Sequence, residues 1–466
     1  RYSVIRYVTT DIQNAQGPHV HDPRTGEILE SDIIWYHNVM NLLRNWYLVQ
    51  TAAVNPEARG NKFDVEVMGE LIRFVSAHEV GHTIGLPHNM GASAAYAVDS
   101  LRSPGFVQKM GTAPSIMDYA RFNYVAQPED EGAGLHPAIG PYDYWSIRFG
   151  YLPIPEANSA EAERPILNEM IVEKAGDLQY RYGRQRFNGH DPSAQTEDIG
   201  DDPIYASTLG IANLKRIVPK LTEWSGEEAK FYENLEELYG QVINQLNRYS
   251  GHVASNIGGV YEHQRSADEE KTVYRPVSTA RQLAAVAFVN QEILTTPEWL
   301  VNKNILERIA PVGVVERIKG LQNRALARIF QVDRLNRLVE QRAIYGPNQF
   351  GVDRLMEEVS SHIFRRKADE DAYGRELQRN FITAAGKLLR EDDLTAEAKA
   401  VTRFTLANLQ FRFQGEVDHA SIKAAHRAEL VRLIEQALDG TLGLLEKGGK
   451  TVDAFSEELH RGCWHD

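Results

Sequence analysis

The sequence has almost no cysteine. Its one thiol, Cys463, lies close to the C-terminal end. A single cysteine allows no intrachain disulfide and excludes zinc ribbons built on several thiolates. An excess of basic charge is also missing: 51 Lys and Arg stand against 64 Asp and Glu, a net charge of −13. That excludes a general nucleic-acid binder, which presents a basic face. No apolar run reaches the roughly 20 residues of a membrane span. Fixed-period repeats and low-complexity blocks are absent too. What remains is ordinary for an ordered chain, with 42% hydrophobic and 25% charged residues. At 466 residues it is long enough for two or three domains with a sizeable core. It begins at Arg1 without Met or signal peptide, which reads as a fragment or processed product with its targeting segment removed.

Composition changes near residue 152. Residues 1–8 and 18–30 have strand character, the latter with turn chemistry at Asp22-Pro-Arg-Thr-Gly26 that predicts a hairpin. Residues 31–50 read as a helix with Ser31 or Asp32 as cap and Ile34, Val39, Leu42, Leu43 and Trp46 on its apolar face, and residues 64–84 as a second helix. Gly and Pro recur from Gly85 to Pro141, as in long ordered loops. Residues 152–205 are polar and read as an irregular linker. Apolar spacing then predicts helices over 226–249, 278–294, 301–309, 313–343, 352–367, 373–391, 396–413 and 421–446. The expected fold class is α+β: a front domain over 1–151 with a small twisted sheet and one key helix, and a mostly helical domain over 152–466.

The chemistry concentrates at His78-Glu-Val-Gly-His-Thr-Ile-Gly-Leu-Pro-His88, an H-E-x-x-H-x-x-G-x-x-H pattern. His78 and His82, four apart on a helix, share one face and can reach one metal. Leu71 and Val75 continue that stripe, which turns the site toward the core. Glu79 is one residue round from His78 and can reach a water beside the metal. Gly85 tolerates the positive φ of a helix stop, after which the chain returns His88 as third ligand. Three protein ligands leave one zinc position open, as catalytic rather than structural sites do. A lone histidine is more often a satisfied core residue. This composition would produce the full pattern by chance only on the order of 10⁻⁴ times per chain, a low false-positive risk for a motif.

Downstream, Ser115-Ile-Met-Asp-Tyr119 supplies a methionine turn, and the pair of motifs is the metzincin signature. Residues 1–150 resemble the metzincin clan of zinc endopeptidases. The resemblance implies one catalytic zinc on His78, His82 and His88, Met117 as an apolar floor under the imidazoles, and Glu79 as general base. Tyr119 matches the tyrosine that stabilises the transition state in astacin-like and serralysin-like members. Asn89 follows the third histidine in place of the Glu, Asp, Ser or Pro of several metzincin families. His88-Asn-Met90, with Gly17-Pro-His-Val-His-Asp-Pro-Arg-Thr-Gly-Glu-Ile28 and Tyr142-Asp-Tyr-Trp-Ser-Ile-Arg-Phe-Gly-Tyr151, looks like the Met-zincin-type domain of large bacterial zinc-dependent metalloproteases. Those are secretory proteins with domains upstream, which implies an extracellular or periplasmic place and a peptide or protein substrate.

Weaker features carry bland alternatives. Glu197-Asp-Ile-Gly-Asp-Asp202 is oxygen-rich, as calcium loops are, but its spacing is not an EF-hand and a solvated turn is the other reading. His460, Cys463 and His465 are metal-capable side chains but read better as a frayed polar tail, and Arg365-Arg-Lys367 reads as a solvated helix end. His19, His21 and His37 read as surface histidines that folding could bring toward the cleft, and Gly258-Gly259 as a turn. Residues 18–30 are the candidate edge for an extended substrate. Two other functions compete with peptide hydrolysis: an inactive metzincin-like scaffold, against which the intact Glu79 speaks, and a zinc hydrolase of a non-peptide amide.

Overall fold

The computed structural model describes residues 2–186, 189–226, 230–365, 369–414 and 421–442. His460, Cys463, His465 and part of the 365–367 basic run lie outside the described residues. The fold is α+β with a large helical part. Five short strands open it: β1 (Ile5–Val8), β2 (Ala15–Gln16), β3 (His19–His21), β4 (Ile28–Ser31) and β5 (Ile33–Tyr36). They form a three-stranded sheet in the order β1-β5-β2, with β1 parallel and β2 antiparallel to β5, and a separate β3-β4 ribbon. The ribbon turns at Asp22, whose carbonyl accepts from Thr25 and Gly26, with Gly26 at φ +74°.

Two long helices follow, α1 (Val39–Thr51) and α2 (Val65–Thr83). The expected helix over 31–50 therefore starts late. Ile33-Ile-Trp-Tyr36 alternates, burying Ile33 and Trp35, the latter against Val39 of α1 and Ile72 and Val75 of α2, and that period of two belongs to a strand. In α1, Val39, Leu42 and Leu43 are buried as expected. In α2, Leu71, Phe74 and His78 fall on one buried stripe.

The long loops contain two short helices, α3 (Val98–Leu101) and α4 (Pro104–Met110), before α5 (Pro141–Tyr151). The polar stretch 152–205 includes α6 (Ala160–Lys174), which has no buried residue, and so carries none of the apolar stripe by which helices are recognised. Beyond it stand α7 (Pro203–Ile217), α8 (Leu221–Trp224) and α9 (Glu233–Ala254), the hairpin β6 (Val260–Glu262) and β7 (Tyr274–Pro276), and then α10 (Thr279–Val289). The array closes with α11 (Lys303–Ile309), α12 (Val314–Ile329), α13 (Val332–Tyr345), α14 (Val352–Ile363), α15 (Ala372–Leu388), α16 (Ala396–Phe413) and α17 (Ile422–Leu438). The expected single helix over 313–343 is two, because the chain leaves helical geometry at Phe330–Gln331 while its apolar period runs on.

One apolar cluster runs through both halves, from Leu43 through Met117, Tyr249 and Phe381 to Leu442. At the centre of that contact, α1 lies against α7 and α9. Glu237 of α9 takes hydrogen bonds from Asn41, Arg44 and Asn45 of α1. Among the described residues, no helix is long and apolar enough to cross a membrane.

Candidate metal centre

The helix stop does two things at once. Gly85 adopts φ +88°, and the Leu86 amide bonds back to Gly81 O at 3.0 Å, the six-to-one bond of a Schellman turn. The same turn leaves Leu86 O facing α2, where it accepts from His82 Nδ1 at 2.9 Å. His78 Nδ1 donates to Ile116 O at 2.7 Å, and His88 Nδ1 to Gln185 Oε1 at 2.7 Å. All three Nδ1 atoms thus face acceptors and must carry the proton.

The three Nε2 atoms converge. They lie 3.1 Å (His78 to His82), 3.3 Å (His78 to His88) and 2.9 Å (His82 to His88) apart. With the protons on Nδ1, three lone pairs point at one another, which only a shared cation relieves. Burial and the neighbouring imidazoles hold His78 well below the usual histidine range, so it stays in the neutral, ligating form. Tetrahedral zinc at ordinary Zn–N lengths separates its ligand nitrogens by about 3.3–3.4 Å, close to what is seen. The residues fit a zinc ion. Among the described residues this is the one group of three or more metal-capable side chains that converge.

Glu79 is 4% exposed on the same helical turn. Burial pushes its carboxyl up to about 7, and a hydrogen bond from the Gly17 backbone acts against that. Its Oε2 is buried without a partner among the described residues. Gly17 follows β2 and presses so closely on α2 that a Cβ there would sit 2.2 Å from Glu79 O. The strand beside Glu79 is therefore β2, while the segment 18–30, the expected substrate edge, forms the separate two-stranded ribbon β3-β4.

The loop 115–119 closes the floor. Met117 is buried, and its sulfur lies where a Cβ on Gly81 would be, so α2 needs glycine at that position. Tyr119 sets its ring 5.1 Å from that of His78 and 4.7 Å from that of His88, with the Arg121 guanidinium 5.0 Å away. Asp143, at the start of α5, pins the loop by accepting from Ser115 Oγ at 2.6 Å and the Ile116 amide at 2.8 Å. Asn89 explains its departure from the usual metzincin residues. Its amide donates to Arg181 O at 2.9 Å and accepts from the Gly183 amide at 2.7 Å. A carboxylate could only accept there.

The acidic run 197–202 is buried at Glu197 and Asp198 and reaches solvent at Asp201, and its carboxylates bond protein partners. Glu197 bonds Arg121 at 2.5 Å and also pairs with Arg248. Asp201 accepts from the Val98 amide, and Asp202 caps α7. Asp198 and Asp118 are both buried beside Ser93, whose hydroxyl donates to Asp198 at 3.3 Å and whose amide donates to Asp118 at 2.6 Å. His19 and His21 stand side by side on the ribbon, and His37 bonds Tyr7; none of them joins the three histidines. Gly258, at φ +62°, packs on Arg334 and Leu338 inside the helical array, and its amide donates to Gln282.

A family model described as Met-zincin matches residues 60–371, more than half of the chain. The chain belongs to the Met-zincin family. The match covers α2, the three histidines, the 115–119 loop and the polar stretch that reaches the site, and it places the chain among metzincin-type zinc metallopeptidases. No curated protein and no solved structure matches it. Within this Met-zincin, Gln185, Asp143 and the bonding of Asn89 were not read from the sequence. Asp143 lay within a segment already noted for its family likeness; Gln185 carries no local signal.

The Asp118–Asp198 pair makes stability depend on pH. Burial raises Asp118 from 3.8 to about 7, and burial together with the Asp118 charge raises Asp198 well above the carboxylate range. The folded chain then holds protons that the unfolded chain has released. Stability is full below about pH 4 for these groups and is lost as pH rises to about 7. Asp118→Asn removes part of that loss. Thermal unfolding of the metal-free chain at pH 4.5 and 7.5 should show a smaller difference in the variant; equal differences would contradict the assignment.

Proposed function

We propose that this Met-zincin is a zinc endopeptidase. The observation that carries the reading is the meeting of three converging, Nδ1-anchored imidazoles with a buried carboxylate on the same helical turn. His78, His82 and His88 would hold the metal. When bound there, zinc supplies Lewis acidity, polarising a carbonyl and acidifying water. Glu79 accepts the proton of the attacking water and returns it to the leaving amine, as a general base and then acid. Tyr119, edge-on to His78 and tilted against His88, donates to the oxyanion that develops on the carbonyl. Met117 and Gly81 keep the floor beneath the histidines apolar and tightly packed, and Gly85 sets the turn that delivers His88. An extended substrate pairs along the β2 edge beside Gly17. By the likeness to bacterial secreted metalloproteases, the work is done outside the cytoplasm.

The test is digestion of a mixed peptide library by the zinc-loaded chain, read by mass spectrometry. Internal cleavage that stops with a chelator and returns with zinc is the expected result. A chain that binds zinc and cuts no peptide would overturn the reading in favour of a scaffold or of non-peptide amide hydrolysis.

A further inference from the structure

The polar stretch after α6 reaches the histidine cluster through one side chain. Gln185 Oε1 lies 2.7 Å from His88 Nδ1, across 97 residues of sequence. His78 and His82 use backbone carbonyls, Ile116 O and Leu86 O, as the matching acceptors. A carbonyl can only accept, so it leaves the imidazole one choice of tautomer. For His88 the acceptor is an amide, which offers an acceptor on one side and a donor on the other. Only the oxygen-inward orientation leaves His88 Nε2 as a lone pair.

The stretch is held in place at Arg181 and Gly183. Asn89, next to His88, bonds Arg181 O and the Gly183 amide. Gly183 lies so close to Gly91 that a Cβ would come within 2.5 Å of its backbone. Arg181 is anchored by Asp191 at 2.5 Å, by Ser193, and by Glu262 O of β6. The position of Gln185 is therefore set by packing that involves no histidine.

We propose that Gln185 is a positioning residue for His88, fixing its Nδ1–H tautomer, so that metal affinity is coupled to the docking of residues 181–185 on the site. The proposal rests on the three histidines being the metal site. Coupling runs both ways: metal binding must favour the docked stretch as much as docking favours the metal.

Zinc dissociation constants measured by chelator competition on the full chain test this. Gln185→Ala should weaken zinc by about 10–100-fold, the usual cost of losing the partner of a ligating histidine. Gln185→Glu keeps an acceptor of the same length and should bind as tightly as the wild type or more so. Gln185→Lys, also long and flexible, presents a donor and should weaken zinc at least as much as Ala. Charge alone would separate Glu from Lys beside a divalent ion. The neutral Gln185→Met, of like length but with no amide acceptor, is therefore the control. It should weaken zinc as Ala does, whereas a residue that mattered only for packing would leave Met near the wild type. This holds even if Ala loosens the stretch. Hydrogen exchange of the 181–186 amides should slow on adding zinc to the wild type, and less so in Gln185→Lys. Equal affinity for Glu and Lys, or no zinc effect on exchange, would overturn the proposal. A wild type that binds no zinc would overturn it differently, by removing the metal site beneath it.

Discussion

Glu79→Gln should lower kcat/KM for peptide cleavage by about 10²–10⁴-fold, the range that a positioned general base supplies. Zinc content should be unchanged, because the three imidazoles and the acceptors on their Nδ1 atoms are untouched. Glutamine matches glutamate in size, and one amide oxygen can still accept from the Gly17 backbone, so the close approach of β2 to α2 survives. What is lost is a group that can take and return a proton. The measurement is paired: zinc by elemental mass spectrometry and initial rates on the best peptide from the library. Full activity in a zinc-loaded Glu79→Gln chain would remove Glu79 from the chemistry. Loss of both zinc and activity would mean that the carboxylate is needed to build the site.

Glu197→Ala should cost about 3–5 kcal/mol of stability, the range for breaking a buried ion pair and leaving its partner uncompensated. Glu197 is 8% exposed and bonds two guanidiniums, those of Arg121 and Arg248. It also holds φ +68°, a strained conformation for a side chain with a Cβ, and alanine leaves that strain in place. The effect reaches the site through Arg121. Its guanidinium lies 3.6 Å from the centre of the Trp46 ring and 5.0 Å from that of Tyr119. Urea unfolding gives the stability change, and a loss below about 1 kcal/mol would contradict the network, since that is the value of an exposed pair.

How much of this was legible depended on distance along the chain. His78, Glu79, His82 and His88 fall within eleven residues, so helix geometry and one glycine stop were enough to bring them together. Met117 and Tyr119 needed a second motif, and their contact with α2 followed from it. Gln185 could not be found, because a glutamine in a polar stretch looks like any solvated residue until Asn89 and Arg181 fasten that stretch to the site. The acidic run 197–202 misled for the same reason. Asp202 caps the helix that follows it, but the other carboxylates are satisfied by Arg121, Arg248, Ser93 and the Val98 amide, none of which is near in sequence. Fold errors were of another kind. Ile33–Tyr36 became a strand where the apolar pattern merged into that of α1, and α12 and α13 are divided at a break that the heptad-like spacing of leucines does not mark. Helices α2, α14, α15 and α16 formed close to where the spacing put them.

The most direct test of the account is zinc per chain, for the wild type and for His82→Ala. The account predicts about one zinc in the wild type and a large loss in the variant, because His82 Nε2 stands within 3.1 Å of both other ligand nitrogens. A wild type that takes up no zinc after reconstitution, or a variant that keeps it in full, would contradict the metal centre and every role derived from it.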